Sequence, residues 1–261
     1  MSLLQVDGLG INFGGIAAVD DLTFAIPAGR IYSIIGPNGA GKTTLFNMIS
    51  GVYRPGCGRI RFDGQDVTHH EPHRLARLGL SRTFQKLQVF FRLTVLENAM
   101  VGRHLHEPKG ILAHALRLPS VRRANRECAD KAREFIQFVG LGRVADRVAG
   151  GLPYGALKRL EIARALASEP KLLLLDEPAA GCNPVETEEI DSLIQQIARK
   201  GTTVALVEHN MKLVMKISDR ILVLDRGRKL AEGSAAEVRN NPDVIRAYLG
   251  SHGQEVARAY G

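Results

Sequence analysis

Apolar positions along this chain change their period several times, and each change predicts an element. Runs at Leu3 to Val6, Leu22 to Ile26 and Ile31 to Ile35 predict strands, and Arg59 to Val67 reads as a hairpin turning at Asp63-Gly64. A helical pattern extends from about Glu97 to Phe138, with Pro119 and Ser120 predicted to separate two pieces. After Gly151 a helix is expected from about Leu157 to Ala167, then a buried strand at Leu172 to Leu175. Ile190, Leu193, Ile194 and Ile197 recur at the three- and four-residue spacing of an amphipathic helix. Strands are expected again at Thr203 to Val207 and Ile221 to Leu224. Strands alternating with helices predict an α/β fold whose mostly parallel sheet is covered on both faces, because parallel neighbours need crossover connections. The helical stretch at 86–150 reads as a subdomain inserted into a core formed by 1–85 and 151–261 of a single domain.

Composition adds bounds rather than chemistry. A chain of 261 residues, 45% apolar and 24% charged, can bury a large core and lacks the signature of disorder. Its longest apolar runs, such as Leu172 to Leu175, are strand-sized, so no membrane-spanning helix is expected. The stretch MSLLQVDGLG has neither the basic nor the apolar region of a secretion signal. Cys57, Cys128 and Cys182 are too scattered for a local metal site or a disulfide framework, which points to the cytosol. His69, His70 and His73 lie together beside Pro72, but without a metal-ligand spacing they read as surface. The formal charge is +8, and residues 103–147 hold ten Lys or Arg against five Asp or Glu. Nucleic acid, an anionic membrane or solvent alone could answer that charge. The segment offers Phe135 and Phe138 as its aromatics, and both read as core rather than as base-stacking platforms. A solvated basic helix face is the commonest origin of such a run. The tail after Gly250 is polar and carries no motif.

The chemistry is concentrated in the run GPNGAGKTT, Gly36 to Thr44, between the expected strand at Ile31 to Ile35 and the apolar Leu45 to Ile49. Strand, glycine-rich turn and helix are the context in which G-x-x-x-x-G-K-[ST] forms a phosphate-binding loop. Gly36, Gly39 and Gly41 allow the backbone, with Asn38 among its members, to turn its N–H groups toward phosphate oxygens. The helix starting near Lys42 contributes the positive end of its dipole. Lys42 can reach the β- and γ-phosphates of a nucleoside triphosphate, the Thr43 hydroxyl can ligate Mg²⁺, and Thr44 completes the motif. Downstream, Leu172 to Leu175 ends in Asp176-Glu177, the expected Walker B partner. There Asp176 can hold Mg²⁺ through its water shell, and Glu177 can polarise an attacking water. His209 ends the apolar run from Val204 and is placed to hydrogen-bond a γ-phosphate or that water. Gln85, after Leu80-Ser81-Arg82-Thr83-Phe84, can reach Mg²⁺ or the water through its carbonyl oxygen while its loop moves.

The order of Walker A, Gln85, Leu152-Pro153-Tyr154-Gly155-Ala156, Walker B and His209 resembles that of ABC-type ATPases, over essentially the whole chain. The resemblance implies a P-loop NTPase core with an N-terminal antiparallel β part and an inserted α-helical subdomain. It implies ATP as substrate with Mg²⁺, Phe13 stacking on adenine, and Tyr154 and Gly155 in a signature motif that meets the γ-phosphate of ATP held by a second subunit. Lys158 to Arg164, Glu177 to Thr187, Val207 to Met215 and Asn240 to Gly250 are similar to the ATPase subunit of high-affinity branched-chain amino acid importers. That likeness implies as partners a second ATP-binding subunit, alike or different, and two integral membrane permeases, served indirectly by a periplasmic binding protein. It also implies a peripheral place on the cytoplasmic face of the inner (plasma) membrane, and no nucleic acid. Importers or exporters of amides, urea, aromatic acids or lipid share this architecture. An ABC protein acting on ribosomes or DNA is the rival, and a single P-loop without sustained heptads speaks against it. The family's signature usually reads L-S-G-G-Q, whereas Pro153, Tyr154 and Ala156 replace Ser, Gly and Gln here, and Asn183 stands where many members have the D-loop aspartate. These departures predict that the ATP site completed by this signature mainly binds and hydrolyses weakly.

Overall fold

The computed structural model describes residues 2–106 and 119–252, and its chain forms two compact units. The first unit comprises Met1–Arg82, Lys171–Pro178 and Asp191–Gly261. It holds an antiparallel sheet of four strands in the order β2-β1-β4-β5, where β1 is Ser2–Phe13, β2 Ile16–Pro27, β4 Cys57–Phe62 and β5 Gln65–Asp66. β1 and β2 extend well beyond the runs that periodicity predicts. Register shifts between Val6 and Leu9 and between Leu9 and Ile11 absorb the glycines that interrupt the alternation, so Leu4, Val6 and Leu9 all remain buried. The Asp63-Gly64 turn forms as expected, with both residues at positive φ (49° and 78°), as a two-residue hairpin of this kind requires.

The second sheet has six strands in the order β10-β9-β3-β8-β7-β6. They are β3 (Ile31–Ile35), β6 (Leu80–Arg82), β7 (Leu172–Asp176), β8 (Thr203–Val207), β9 (Arg220–Asp225) and β10 (Arg228–Gly233). All neighbours run parallel except β9 and β10. β3, β7 and β8 are buried at every position, which explains why they read as continuous apolar runs rather than alternations. Helix α1, Lys42–Ile49, places Leu45, Phe46, Met48 and Ile49 in one cluster with Leu4, Leu22 and Phe62 of the first sheet and Ile34, Leu174 and Val207 of the second. The element that follows the glycine-rich turn is therefore embedded in the core, and this immobilises the turn. Sequence periodicity missed the short elements α2 (Pro72–Leu78), β6 and β10; α2 and β10 turn part of their length to solvent, and β6 is only three residues long.

The second unit comprises Thr83–Pro170 and Ala179–Ile190. Among the described residues it contains the helices α3 (Val95–Gly102), α4 (Pro119–Phe138) and α5 (Tyr154–Leu166). It is larger than the 86–150 segment expected from the pattern, because α5 packs on α3. A Cβ on Gly102 would lie 2.0 Å from the Arg164 carbonyl oxygen, so only glycine permits that approach. Thr94 opens α3 with a capping box closed by Glu97. Pro119 begins α4, where the first turn needs no N–H from it; the stretch just before it lies outside the described residues. α4 buries Cys128, Ala132 and Ile136, spaced by four, and carries the pairs Arg123–Glu127, Lys131–Glu134 and Arg133–Asp130 toward solvent. That is the solvated face anticipated for the basic segment, whose members Glu107, Lys109 and Arg117 lie outside the described residues.

Helix α6, Pro184–Arg199, buries Ile190, Leu193, Ile194 and Ile197 as its stripe predicts. After it come α7 (Met211–Ile217), α8 (Ala235–Arg239) and α9 (Pro242–His252); the polar tail from 253 onward lies outside the described residues. Among the described residues no helix is long and apolar enough to cross a membrane, and no group of three or more His, Cys, Asp and Glu could hold a metal.

Candidate functional site

Register brings the first-unit residues together. Val207 of β8 pairs with Ile34 of β3 on one side and with Asp176 of β7 on the other. The carboxyl ends of three adjacent strands thus deliver the Gly36 turn, the Asp176-Glu177 pair and His209 to one edge of the sheet, where ligands of open α/β sheets bind. Gly36 and Gly41 are obligatory there, because a Cβ would fall 2.2 Å from the Leu224 carbonyl oxygen at the first and 2.4 Å from that of Ala18 at the second. Gly41 caps α1 at φ 95° with no side chain on the first amides, so the helix N-terminus presents its own N–H groups. Lys42 Nζ donates to the carbonyls of Gly36 (2.7 Å) and Pro37 (3.0 Å), folding the ammonium back over the turn. Burial lowers its pKa, partly opposed by Glu177 and Asp176. Thr43 is exposed and Thr44 half-buried at the start of the helix.

Glu177 adopts φ 49°, a conformation that non-glycine residues rarely take, and its N–H donates to the Val207 carbonyl at 2.9 Å. Its Oε1 lies 3.9 Å from His209 Nδ1, with the glutamate 23% and the histidine 67% exposed. The two groups can therefore act on one water, as their places in the sequence suggest. Phe13 is 46% exposed at the end of β1, its ring packed edge-on against Tyr53 at 5.4 Å. Its hairpin also supplies the Ala18 carbonyl against which Gly41 is seated.

Sequence reasoning missed Arg82. Its guanidinium, 6% exposed, donates to Asp176 Oδ2 (2.9 Å), Asn47 Oδ1 (2.7 Å) and Ser50 Oγ (2.8 Å), and lies over the Phe46 ring. One cation thus ties the Walker B carboxylate to α1, the helix that carries Thr43. Its only sequence signal is a charged residue ending a short apolar strand, which ordinarily means solvent. Asp176 and Thr43 are hard oxygen donors of the type that Mg²⁺ takes.

The remaining predicted residues belong to the second unit. Gln85 is exposed in the loop after β6, followed by the exposed rings of Phe90 and Phe91. The signature helix begins at Tyr154, three residues before the expected Leu157, with Pro153 at its cap and no capping side chain of its own. The Gly155 N–H is not open: it donates to Glu186 Oε1 at 3.2 Å. Tyr154 lies over Gly181, where a Cβ would meet its ring at 3.0 Å, and Lys158 Nζ sits 5.8 Å from the ring centre. Burial raises the Glu161 pKa, opposed by N–H donation from Gln88 and by Lys158.

Comparison with known proteins agrees with this geometry. Residues 19–180 match the family described as "ABC transporter", and residues 228–253 match "Branched-chain amino acid ATP-binding cassette transporter". The chain is 45% identical to the high-affinity branched-chain amino acid transport ATP-binding protein BraF of Pseudomonas aeruginosa, over 95% of this chain and 98% of that one. It is 47% identical, with the same coverage, to LivG of Escherichia coli K12, which carries the same description. Among solved structures, the ADP conformation of MJ1267, an ATP-binding cassette of an ABC transporter, superposes with a TM-score of 0.84 at 33% identity, covering 96% of this chain and 99% of that one. A nucleotide-free cassette from an ABC transporter gives 0.83 at 32% identity, covering 95% and 99%. The glycine turn, the paired carboxylates and the signature helix thus stand in a protein similar throughout to such cassettes, and the chain belongs to the ABC transporter family as one of its ATP-binding subunits.

Proposed function

We propose that this chain hydrolyses ATP to drive a membrane importer of branched-chain amino acids, working on the cytoplasmic face of the inner membrane with a second ATP-binding subunit and two permeases. The observation that carries the catalytic half is the shared carboxyl edge of β3, β8 and β7, which gathers Lys42, Asp176, Glu177 and His209. The cargo follows from the relatives named above and from the match at residues 228–253.

In this reading Phe13 stacks on adenine, and the amides from Gly36 to Thr44, Asn38 and Gly39 among them, receive the phosphates. Lys42 exchanges its two carbonyl partners for phosphate oxygens. Asp176, held by Arg82, and the Thr43 hydroxyl would hold Mg²⁺; when bound, the ion would neutralise charge developing on the phosphate oxygens. Glu177 accepts the proton of the attacking water, and His209 orients that water or the γ-phosphate. Tyr154 and Gly155 meet the γ-phosphate of the nucleotide on the partner ATPase. Exposed Phe84, Phe90 and Phe91 offer an apolar surface for a permease.

Affinity purification of tagged Glu177→Gln from detergent-solubilised membranes, with ATP and Mg²⁺, tests the assembly. Two multi-spanning proteins and a second ATPase are expected. Recovery of ribosomes or DNA with no membrane protein would overturn the importer reading. ATP-dependent uptake of labelled leucine by the reconstituted complex then tests the cargo, with an amide or urea as competitor.

A further inference from the structure

We propose that Glu186 gates the signature helix, its carboxylate holding within the subunit the Gly155 amide that a phosphate of the opposed nucleotide needs. The inference rests on the reading of α5 as the phosphate-facing helix. It starts from an accounting of donors. Pro153 has no N–H, and α5 has no capping side chain, so Tyr154 and Gly155 supply its first amides. Glu186 fills the role of the missing cap from another segment: Oε1 accepts from Gly155 N (3.2 Å) and Oε2 accepts from Asn183 N (3.0 Å). Asn183 returns the contact through Oδ1 to the Glu186 N–H at 3.0 Å. The chain is built for this contact, since a Cβ on Gly155 would lie 2.5 Å from Glu186 Cδ.

A carboxylate over a helix N-terminus is a stable arrangement, because its charge meets the positive end of the dipole. The same property makes it a competitor. A phosphate oxygen seeking the Gly155 N–H finds it engaged and a negative charge beside it, so the two anions exclude each other. Docking of the opposed nucleotide therefore requires Glu186 to release Gly155. The release also frees one side of the 181–186 turn, whose Gly181 lies under Tyr154. Signature and D-loop residues are linked through one side chain, and Asn183, in place of the usual aspartate, leaves Glu186 to supply the negative charge. The neighbouring pair Arg159–Glu189, at 3.3 Å, holds the same helices without touching an α5 amide and serves as the control.

The test compares Glu186→Gln, Glu186→Ala and Glu189→Gln in the assembled transporter and in the isolated subunit. A neutral side chain binds the amide more weakly than a carboxylate, so the KM for ATP of the assembled transporter should fall about 3- to 10-fold in both Glu186 variants, with kcat held. The isolated subunit, which binds nucleotide through its own Gly36–Thr44 turn, should keep its Kd, and Glu189→Gln should leave KM unchanged. An unchanged or raised KM, an equal fall in the control, or a parallel shift in the isolated Kd would overturn the proposal. A fall in kcat with a lower melting temperature would mark Glu186 as a structural cap and also overturn it. Loss of ATP binding in Lys42→Ala, measured alongside, keeps the ATPase reading standing whichever way Glu186 behaves.

Discussion

In the first unit the groups proposed to meet nucleotide stand on the ends of buried strands, with Asp176 3% exposed and clamped by Arg82 to the helix after the glycine turn. In the second unit Tyr154 is exposed, and the Gly155 amide is held by a carboxylate from a distant stretch of chain. One region is prepared before its ligand arrives, whereas the other is occupied by a substitute that must leave. The difference suits two tasks. Binding and chemistry gain from fixed dipoles and charges that need no reorganisation, and a site that responds to a second subunit gains from a contact that can be exchanged.

Substitutions can break this contrast, and the largest effect should come from the first unit. Glu177→Gln should lower hydrolysis about 10²–10⁴-fold while ATP affinity holds, as steady-state turnover and equilibrium titration would show. Near-normal turnover would remove Glu177 from the role of base. Arg82→Ala should then cost about 3–5 kcal/mol in denaturant unfolding, since it leaves the buried Asp176 carboxylate without its cation, and Arg82→Lys should recover part of that loss. In the second unit, Gly102→Ala pushes a methyl against the Arg164 carbonyl and should cost about 1–3 kcal/mol in the same measurement, with nucleotide affinity unchanged. The smallest change is expected from Pro153→Ser. It restores a hydroxyl and an N–H at the start of α5, and should raise turnover of the assembled complex by about two- to tenfold, the worth of one hydrogen bond. No change in rate would count against the reading of this signature as a weak hydrolytic site.

Legibility in the sequence followed the same division. The Gly36–Thr44 turn, the strand before it and the Asp176-Glu177 pair could be read directly, because each is a local pattern: an apolar run, special backbone residues, then charge. Both the Asp63-Gly64 hairpin and the stripe from Ile190 to Ile197 were readable for that reason. The lengths of β1 and β2 were not, since register shifts at Gly8 and Gly10 hide the alternation. Pro119 opens a helix, where a proline's missing N–H does no harm in a first turn, and the residues before it lie outside the described ones. Arg82 and Glu186 carried no signal of their roles in the sequence, because their partners lie 94 and 31 residues away.

The sequence alone determined that this chain carries a glycine turn of the phosphate-binding pattern, that two carboxylates follow an apolar strand, and that the whole resembles an ABC ATPase. Those properties depend on neighbours within a few residues, where backbone freedom, periodicity and residue type act together. The tertiary structure decided that Val207 stands between Ile34 and Asp176, that Arg82 neutralises Asp176, and that Glu186 engages Gly155. Burial makes the first two contacts strong, and a buried charge must find its partner in space, however far along the chain that partner lies.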